Sequence, residues 1–175
     1  MKRPLAVILA LALTLVAIAA GGCGSSTKTI AQTGANGEVT TQTVPNVHFA
    51  KTKFVAHMAL AVGAFHHYVY KPLTGGELAA GAPGRVKAVL KAGVATLFAV
   101  HELKAANAAA LSDARLRPLA ERIDALLGRL TKLGGSLKAG SLNPAAILGS
   151  AGAISALTAA SGGLGVNIKE VVPSL

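Results

Sequence analysis

One seam of large aliphatic side chains constrains the fold of this chain more than any other feature. Its members alternate steps of three and four residues: Leu116, Leu119, Ile123, Leu126, Leu130, Leu133 and Leu137. This spacing places every member on one face of an α-helix, and such a face must pack against another helix. Pro118 suits the first helical turn, where a missing N–H costs nothing. Gly134-Gly135 is expected to end the helix.

Three further segments carry helical spacing or helix boundary signals. The first begins at Asn46 and runs to about residue 70, before Pro72, with one stripe of Phe54, Met58, Val62, Phe65 and Val69. The second covers about residues 85–109, with Val86, Leu90, Val94, Leu97 and His101 along one side. The third starts at Asn143-Pro144 and ends near Gly162. Four helices joined by turns with Gly and Pro predict an all-α fold, an up-down four-helix bundle preceded by a flexible tether.

The first 22 residues read as a targeting segment. Lys2 and Arg3 precede an uncharged run over residues 5–20, and the small residues Gly21 and Gly22 follow. A basic start, a short apolar stretch and small residues before a processing point are typical of a secretory signal peptide. The apolar run is shorter than the stretch of about 20 residues that a spanning helix needs. We therefore expect residues 1–22 to be a signal peptide that is removed.

The sequence Ala20-Gly21-Gly22-Cys23 resembles the lipobox of bacterial lipoproteins, and the resemblance covers residues 1–23 only. It implies that the thiol of Cys23, the only cysteine in the chain, is alkylated by diacylglycerol before the chain is cut in front of it. It also implies export, with anchoring at the outer face of the cytoplasmic membrane or in the cell envelope. The alternative is an ordinary signal peptide cut near Ala20, with Cys23 an incidental thiol.

The composition changes at about residue 46. Residues 24–46 are rich in Ser, Thr, Gly, Gln and Asn, which bury too little apolar surface to fold alone. Residues 23–46 are therefore predicted to be a lipidated flexible tether, which as a coil would span about 25 to 30 Å. Asn36-Gly37 between two Thr-rich arms offers a β-hairpin as the alternative, although an isolated hairpin is marginal in water. Residues 47–175 are predicted to form the helical bundle domain.

The charge of the mature chain favours anionic partners. Loss of Lys2 and Arg3 leaves 15 basic residues against 7 acids, a formal charge of +8. Such a surface suits anionic lipid head groups, cell-wall polymers or another, acidic envelope protein, in addition to the membrane reached through the lipid anchor. Nucleic acid is not expected, because the chain is exported and its basic residues are scattered singly.

The motifs of common enzyme classes do not occur in this sequence. There is no paired Glu-x-x-His of di-iron bundles, no Gly-x-Ser-x-Gly, no His-Glu-x-x-His and no phosphate-binding loop ending in Gly-Lys-Ser/Thr. We therefore predict a protein that is not an enzyme and has no cofactor beyond the covalent lipid on Cys23. Its expected role is that of a helical interaction module or a structural module of the envelope.

Histidine supplies the main alternative. Imidazoles in an apolar bundle can bind haem or a transition metal, and an antiparallel pairing of the first two helices brings His101 level with Phe54, three residues from His57. His57 and His101 are thus candidate ligands for haem, a metal or a small apolar molecule. A second alternative is a membrane-active protein, because residues 54–70 and 139–168 carry no formal charge. For the latter segment we favour a helix buried against its neighbours.

Overall fold

The computed structural model describes residues 26–33 and 38–175, which divide into two compact units between Asn46 and Val47. The predicted signal peptide, its cleavage point and Cys23 lie outside the described residues, as does the predicted Asn36-Gly37 turn.

The described part of the first unit is a two-stranded antiparallel sheet. Strand β1 (Thr27–Thr33) pairs with β2 (Val39–Pro45) in a register that matches Thr27 with Pro45. The ladder is extended by Asn46, whose backbone N–H donates to the carbonyl oxygen of Ser26 at 2.7 Å. Thr and Val favour extended backbone, and cross-strand pairing satisfies their peptide groups. The prediction of a flexible tether is therefore wrong for these residues, and the hairpin alternative describes them.

The second unit contains four long helices. Helix α1 (Ala50–Phe65) continues without a break as a π-helical turn (His66–Tyr70) and a last α-helical turn (Lys71–Thr74). Helix α2 is Arg85–Ser112. A 3₁₀ turn (Arg117–Leu119) leads into α3 (Ala120–Lys138), and α4 is Pro144–Gly163. The described chain is thus mostly helical, as the spacing of its apolar residues predicts.

The boundaries of α1 differ from the predicted ones. Asn46 does not cap α1: it pairs with Ser26 at the end of the sheet, and the helix begins at Ala50 with Phe49 at the N-cap. Pro72 does not end α1 either, since it lies within the final turn. The π-helical turn directly before that position changes the hydrogen-bond pattern where Pro72 has no N–H to donate. The predicted stripe from Phe54 to Val69 is confirmed, since all five members are buried.

The seam is confirmed as buried, because all seven of its side chains are buried. Leu116 precedes the 3₁₀ turn and Leu119 lies in it, so only the five members from Ile123 to Leu137 belong to α3. The predicted end of the helix is wrong, since α3 continues through Gly134 and Gly135 to Lys138. Gly134 is buried against α2, where an added Cβ would lie 3.4 Å from Thr96 Cγ2. This glycine therefore allows α2 and α3 to approach closely. Gly140, just beyond the helix, adopts the left-handed conformation that favours glycine after a helix end.

Helix α2 packs through small side chains. It contacts both α1 and α3, and its buried face is mostly alanine: Ala92, Ala95, Ala99, Ala106, Ala109 and Ala110. Larger side chains from α1 and α3 pack onto this face. The aliphatic side from Val86 to Leu97 is exposed instead.

Helices α1 and α2 run antiparallel. The Val47 N–H donates to Ser112 Oγ at 2.9 Å, and His57 bonds Glu102 at 2.7 Å. Residue numbers therefore rise along α1 as they fall along α2. The same relation holds between α2 and α3, where Asn107 bonds Asp124 at 2.7 Å and Thr96 faces Gly134.

Helix α4 begins as predicted. Asn143 Oδ1 accepts a hydrogen bond from the Ala146 N–H at 3.1 Å, and Pro144 occupies the first turn. One face of α4 is buried: Ile147, Ser150, Ile154, Leu157 and Ser161. The prediction of a buried helix is correct for this face only, because the opposite face is exposed. Among the described residues, α4 alone is long and apolar enough to cross a membrane, by length and composition.

Candidate functional site

An extended C-terminal segment, residues 164–175, packs along α1. The Val171 N–H donates to the Ala59 carbonyl oxygen at 3.1 Å, and the Tyr68 hydroxyl donates to the Pro173 carbonyl oxygen at 2.8 Å. The contact is close because Gly63 has no side chain, and a Cβ added there would overlap the Val171 carbonyl. The tail is thus held by one backbone–backbone hydrogen bond and by one bond from a tyrosine side chain to its backbone.

A cleft of about 660 Å³ lies between α1, α4 and this tail. Its apolar wall includes Val62 and Phe65 from α1, Leu148 and Ile154 from α4, and Ile168 from the tail. Such a mostly apolar concavity with a few polar groups has the composition of a site for a small molecule.

Five polar side chains border the cleft: His66, Tyr70, Ser155, Thr158 and Glu170. His66 Nδ1 lies 2.8 Å from both carboxylate oxygens of Glu170, which joins α1 to the tail. Thr158 Oγ1 is buried and has no hydrogen-bond partner. Because an unpaired buried hydroxyl costs free energy, Thr158 is the group in the cleft that would gain most from a polar atom of a bound molecule.

The two histidines predicted as ligands have different surroundings. His57 Nδ1 bonds Glu102 Oε2 at 2.7 Å, and the Glu102 side chain is only 10% exposed. His101 is exposed, on the same side of α2 as Leu97. Because α1 and α2 run antiparallel and His57 lies level with Glu102, His101 lies level with Met58. The predicted register had placed it level with Phe54. The described residues contain no group of three or more His, Cys, Asp or Glu side chains arranged to hold a metal ion.

Replacement of His57 should affect stability more than replacement of His101. We expect His57→Ala to lower the free energy of unfolding by about 1 to 3 kcal/mol, because the nearly buried Glu102 carboxylate loses its partner. His101→Ala should change it by less than about 0.5 kcal/mol, as is usual for exposed positions. Urea unfolding measures both. Zinc or haem that stabilises the wild-type protein, with the effect lost in both variants, would instead show a shared ligand site.

The chain was compared with protein-family models, curated proteins and solved structures. None of them matches it. A role for the cleft is therefore inferred from the chemistry of the residues that line it. The sequence does not pair His66 with Glu170, because no local pattern links residues 104 positions apart. The one available signal is that Glu170 is the only acidic residue after Asp124.

Proposed function

We propose that this protein is an exported lipoprotein, held at the membrane by a lipid on Cys23 and acting as a non-enzymatic helical module of the cell envelope. The observation that carries the proposal is the combination in residues 1–23: a basic start, an uncharged segment, and a lone cysteine directly after two glycines. A single free thiol at that point is otherwise a liability in an oxidising compartment.

In this proposal the helical domain is an up-down four-helix bundle whose surface binds the partners. The antiparallel contacts of α1 with α2 and of α2 with α3 support this topology. The mature charge of +8 favours anionic lipid, a cell-wall polymer or an acidic envelope protein as the partner.

The lipid anchor is tested by replacing the thiol that would carry it. In bacterial cells, the wild-type chain should incorporate labelled fatty acid and sediment with membranes. Cys23→Ala should incorporate none, because alanine offers no nucleophile for alkylation. Ser25→Ala serves as the matched control and should behave as the wild type. Labelled Cys23→Ala protein, or unlabelled wild-type protein made in lipoprotein-processing cells, would contradict the proposal.

A second candidate function is the binding of a small apolar molecule in the cleft between α1, α4 and the tail. The unpaired Thr158 hydroxyl within an apolar wall favours it. The expected ligand is an uncharged apolar molecule with one hydrogen-bond acceptor. Haem or a metal held by His57 and His101 is a separate alternative raised by the sequence, because neither histidine lines this cleft.

The cleft is tested with N-phenyl-1-naphthylamine, an uncharged probe that fluoresces in apolar surroundings. We expect saturable binding that Ala159→Leu weakens, because residue 159 lines the cleft and a larger side chain there occupies part of its volume. Ala156→Leu is the matched control, since residue 156 is exposed on the same helix but does not line the cleft. Equal affinity of both variants would exclude the cleft as the binding site.

A further inference from the structure

Helix α2 exposes a row of large aliphatic side chains. Val86 is 72% exposed, Leu90 66%, Val94 55% and Leu97 57%. At about 100° per residue these four positions fall within an arc of about 80°, and at about 1.5 Å per residue they span about 16 Å along the axis. We name them the α2 aliphatic face.

Within the helical unit this face is covered only at one edge, where the Leu97 side chain approaches Gly134 of α3. Both neighbours of α2 pack on its alanine side, and α1 and α3 supply the large side chains of that interface. Scattered single aliphatic residues on a surface are ordinary, but a contiguous row is typical of a surface that meets a partner or a lipid.

The charges around the α2 aliphatic face have one sign. Apart from His101, which lies on this face beyond Leu97, the exposed ionisable side chains of α2 are lysines, and its single carboxylate, Glu102, is almost buried and bonded to His57. Lys87 lies beside Val86 and Leu90. Lys104 lies two helical turns beyond Leu97, in line with the row. A lysine therefore stands near each end of the face, where it can reach negatively charged groups.

We propose that the α2 aliphatic face lies in the head-group region of an anionic phospholipid bilayer, with Lys87 and Lys104 against the lipid phosphates. A helix with aliphatic residues on one side and lysines beside them has the character of helices that lie in the plane of a bilayer surface. Anionic lipid attracts lysines near the surface. The inference rests on the proposed function only in that the anchor on Cys23 brings the domain to the membrane.

A second copy of the chain fits this face less well. Two copies packed antiparallel about the middle of this face would place Lys87 and Lys91 of both helices along the same edge of the interface, with no carboxylate on either helix surface to separate them. Like charges held together at an interface oppose association. A bilayer with anionic head groups supplies the opposite charge instead.

The test places one fluorescent label on the full chain. Leu97→Cys in a Cys23→Ala background carries nitrobenzoxadiazole, and the protein is mixed with vesicles of equal phosphatidylcholine and phosphatidylglycerol. We expect the emission to move to shorter wavelength and to be quenched by nitroxide groups on the acyl chains. The same label at Ala125→Cys, an exposed position on α3, should show neither effect. Residues 5–20 are present in every variant, so their contribution to binding is the same throughout.

Charge reversal provides the matched variants. Lys87→Glu with Lys104→Glu should abolish the wavelength shift at residue 97. Lys132→Glu with Lys169→Glu changes the net charge equally at exposed positions elsewhere and should retain it. An unshifted label on vesicle-bound protein would overturn the proposal. So would a shift that appears without lipid and grows with protein concentration, because it would identify a second copy as the occupant.

The outcome is independent of lipidation, since every labelled protein lacks Cys23. If the wild-type chain incorporates no fatty acid but the label at residue 97 of the Cys23→Ala protein still enters the bilayer, the proposed function is contradicted and this inference stands. If the wild-type chain incorporates fatty acid but the label at residue 97 of the Cys23→Ala protein stays in water, this inference is contradicted and the proposed function stands.

Discussion

Leu126→Ala should lower the free energy of unfolding by about 2 to 5 kcal/mol, the range measured for a leucine truncated in a packed core. Leu126 is 1% exposed and lies in the middle of the α3 seam. Its removal leaves a cavity that α2 and the neighbouring seam residues can close only in part. Thermal and urea unfolding of the purified protein would both report the loss.

Lys132→Ala is the control for this prediction. Lys132 is on the exposed side of α3, so its replacement should change stability by less than about 0.5 kcal/mol. Equal effects of the two substitutions would show that the buried face of α3 has been assigned incorrectly.

Gly63→Ala should detach the C-terminal tail from α1. The new Cβ would overlap the Val171 carbonyl, and backbone on both sides leaves no flexible side chain to move away. We expect a loss of about 1 to 3 kcal/mol, as for other overpacked sites. Faster hydrogen exchange at the Val171 amide and faster proteolysis of residues 164–175 would accompany it.

Gly152→Ala is the matched control, a glycine of α4 at which an added Cβ meets nothing within 4 Å. Because alanine favours a helix more than glycine does, this variant should be at least as stable as the wild type. Unchanged exchange at Val171 in Gly63→Ala would mean that the tail does not lie against α1 in solution.

The cleft depends on the same tail. Ile168 and Glu170 form one side of it, so displacement of the tail by Gly63→Ala should also open the cleft and weaken any ligand bound there. Gly63→Ala should leave the α2 aliphatic face unchanged, because that face contains no tail residue. The cleft and the α2 aliphatic face can therefore be tested separately.

The candidate site was only partly predictable from the sequence. The bond between His66 and Glu170 depends on the path of the tail, which has no periodic pattern. His57 was singled out as a ligand, whereas the structure gives it Glu102 as a partner. That pairing requires the register between α1 and α2, and an error of four residues in the register was enough to miss it.

By itself the sequence determined the elements whose side chains contrast strongly along the helix. The α3 seam places large aliphatic residues on one face of a helix whose opposite face is polar, and the stripe of α1 repeats at helical spacing. Asn143-Pro144 marks the start of α4 through local hydrogen bonding and backbone geometry. These signals act within a few residues, so they can be interpreted without knowledge of the rest of the chain.

Only the tertiary structure decided which face of α2 is buried, where α3 ends and where the tail lies. Helix α2 has alanine on one side and Val and Leu on the other, so both sides are apolar and burial depends on what the neighbours bring. Large side chains from α1 and α3 pack best against alanine, which leaves Val86, Leu90, Val94 and Leu97 exposed. Gly134 and Gly63 likewise acquire their roles from close approaches to distant segments, because packing is a property of the pair of surfaces and not of either sequence alone.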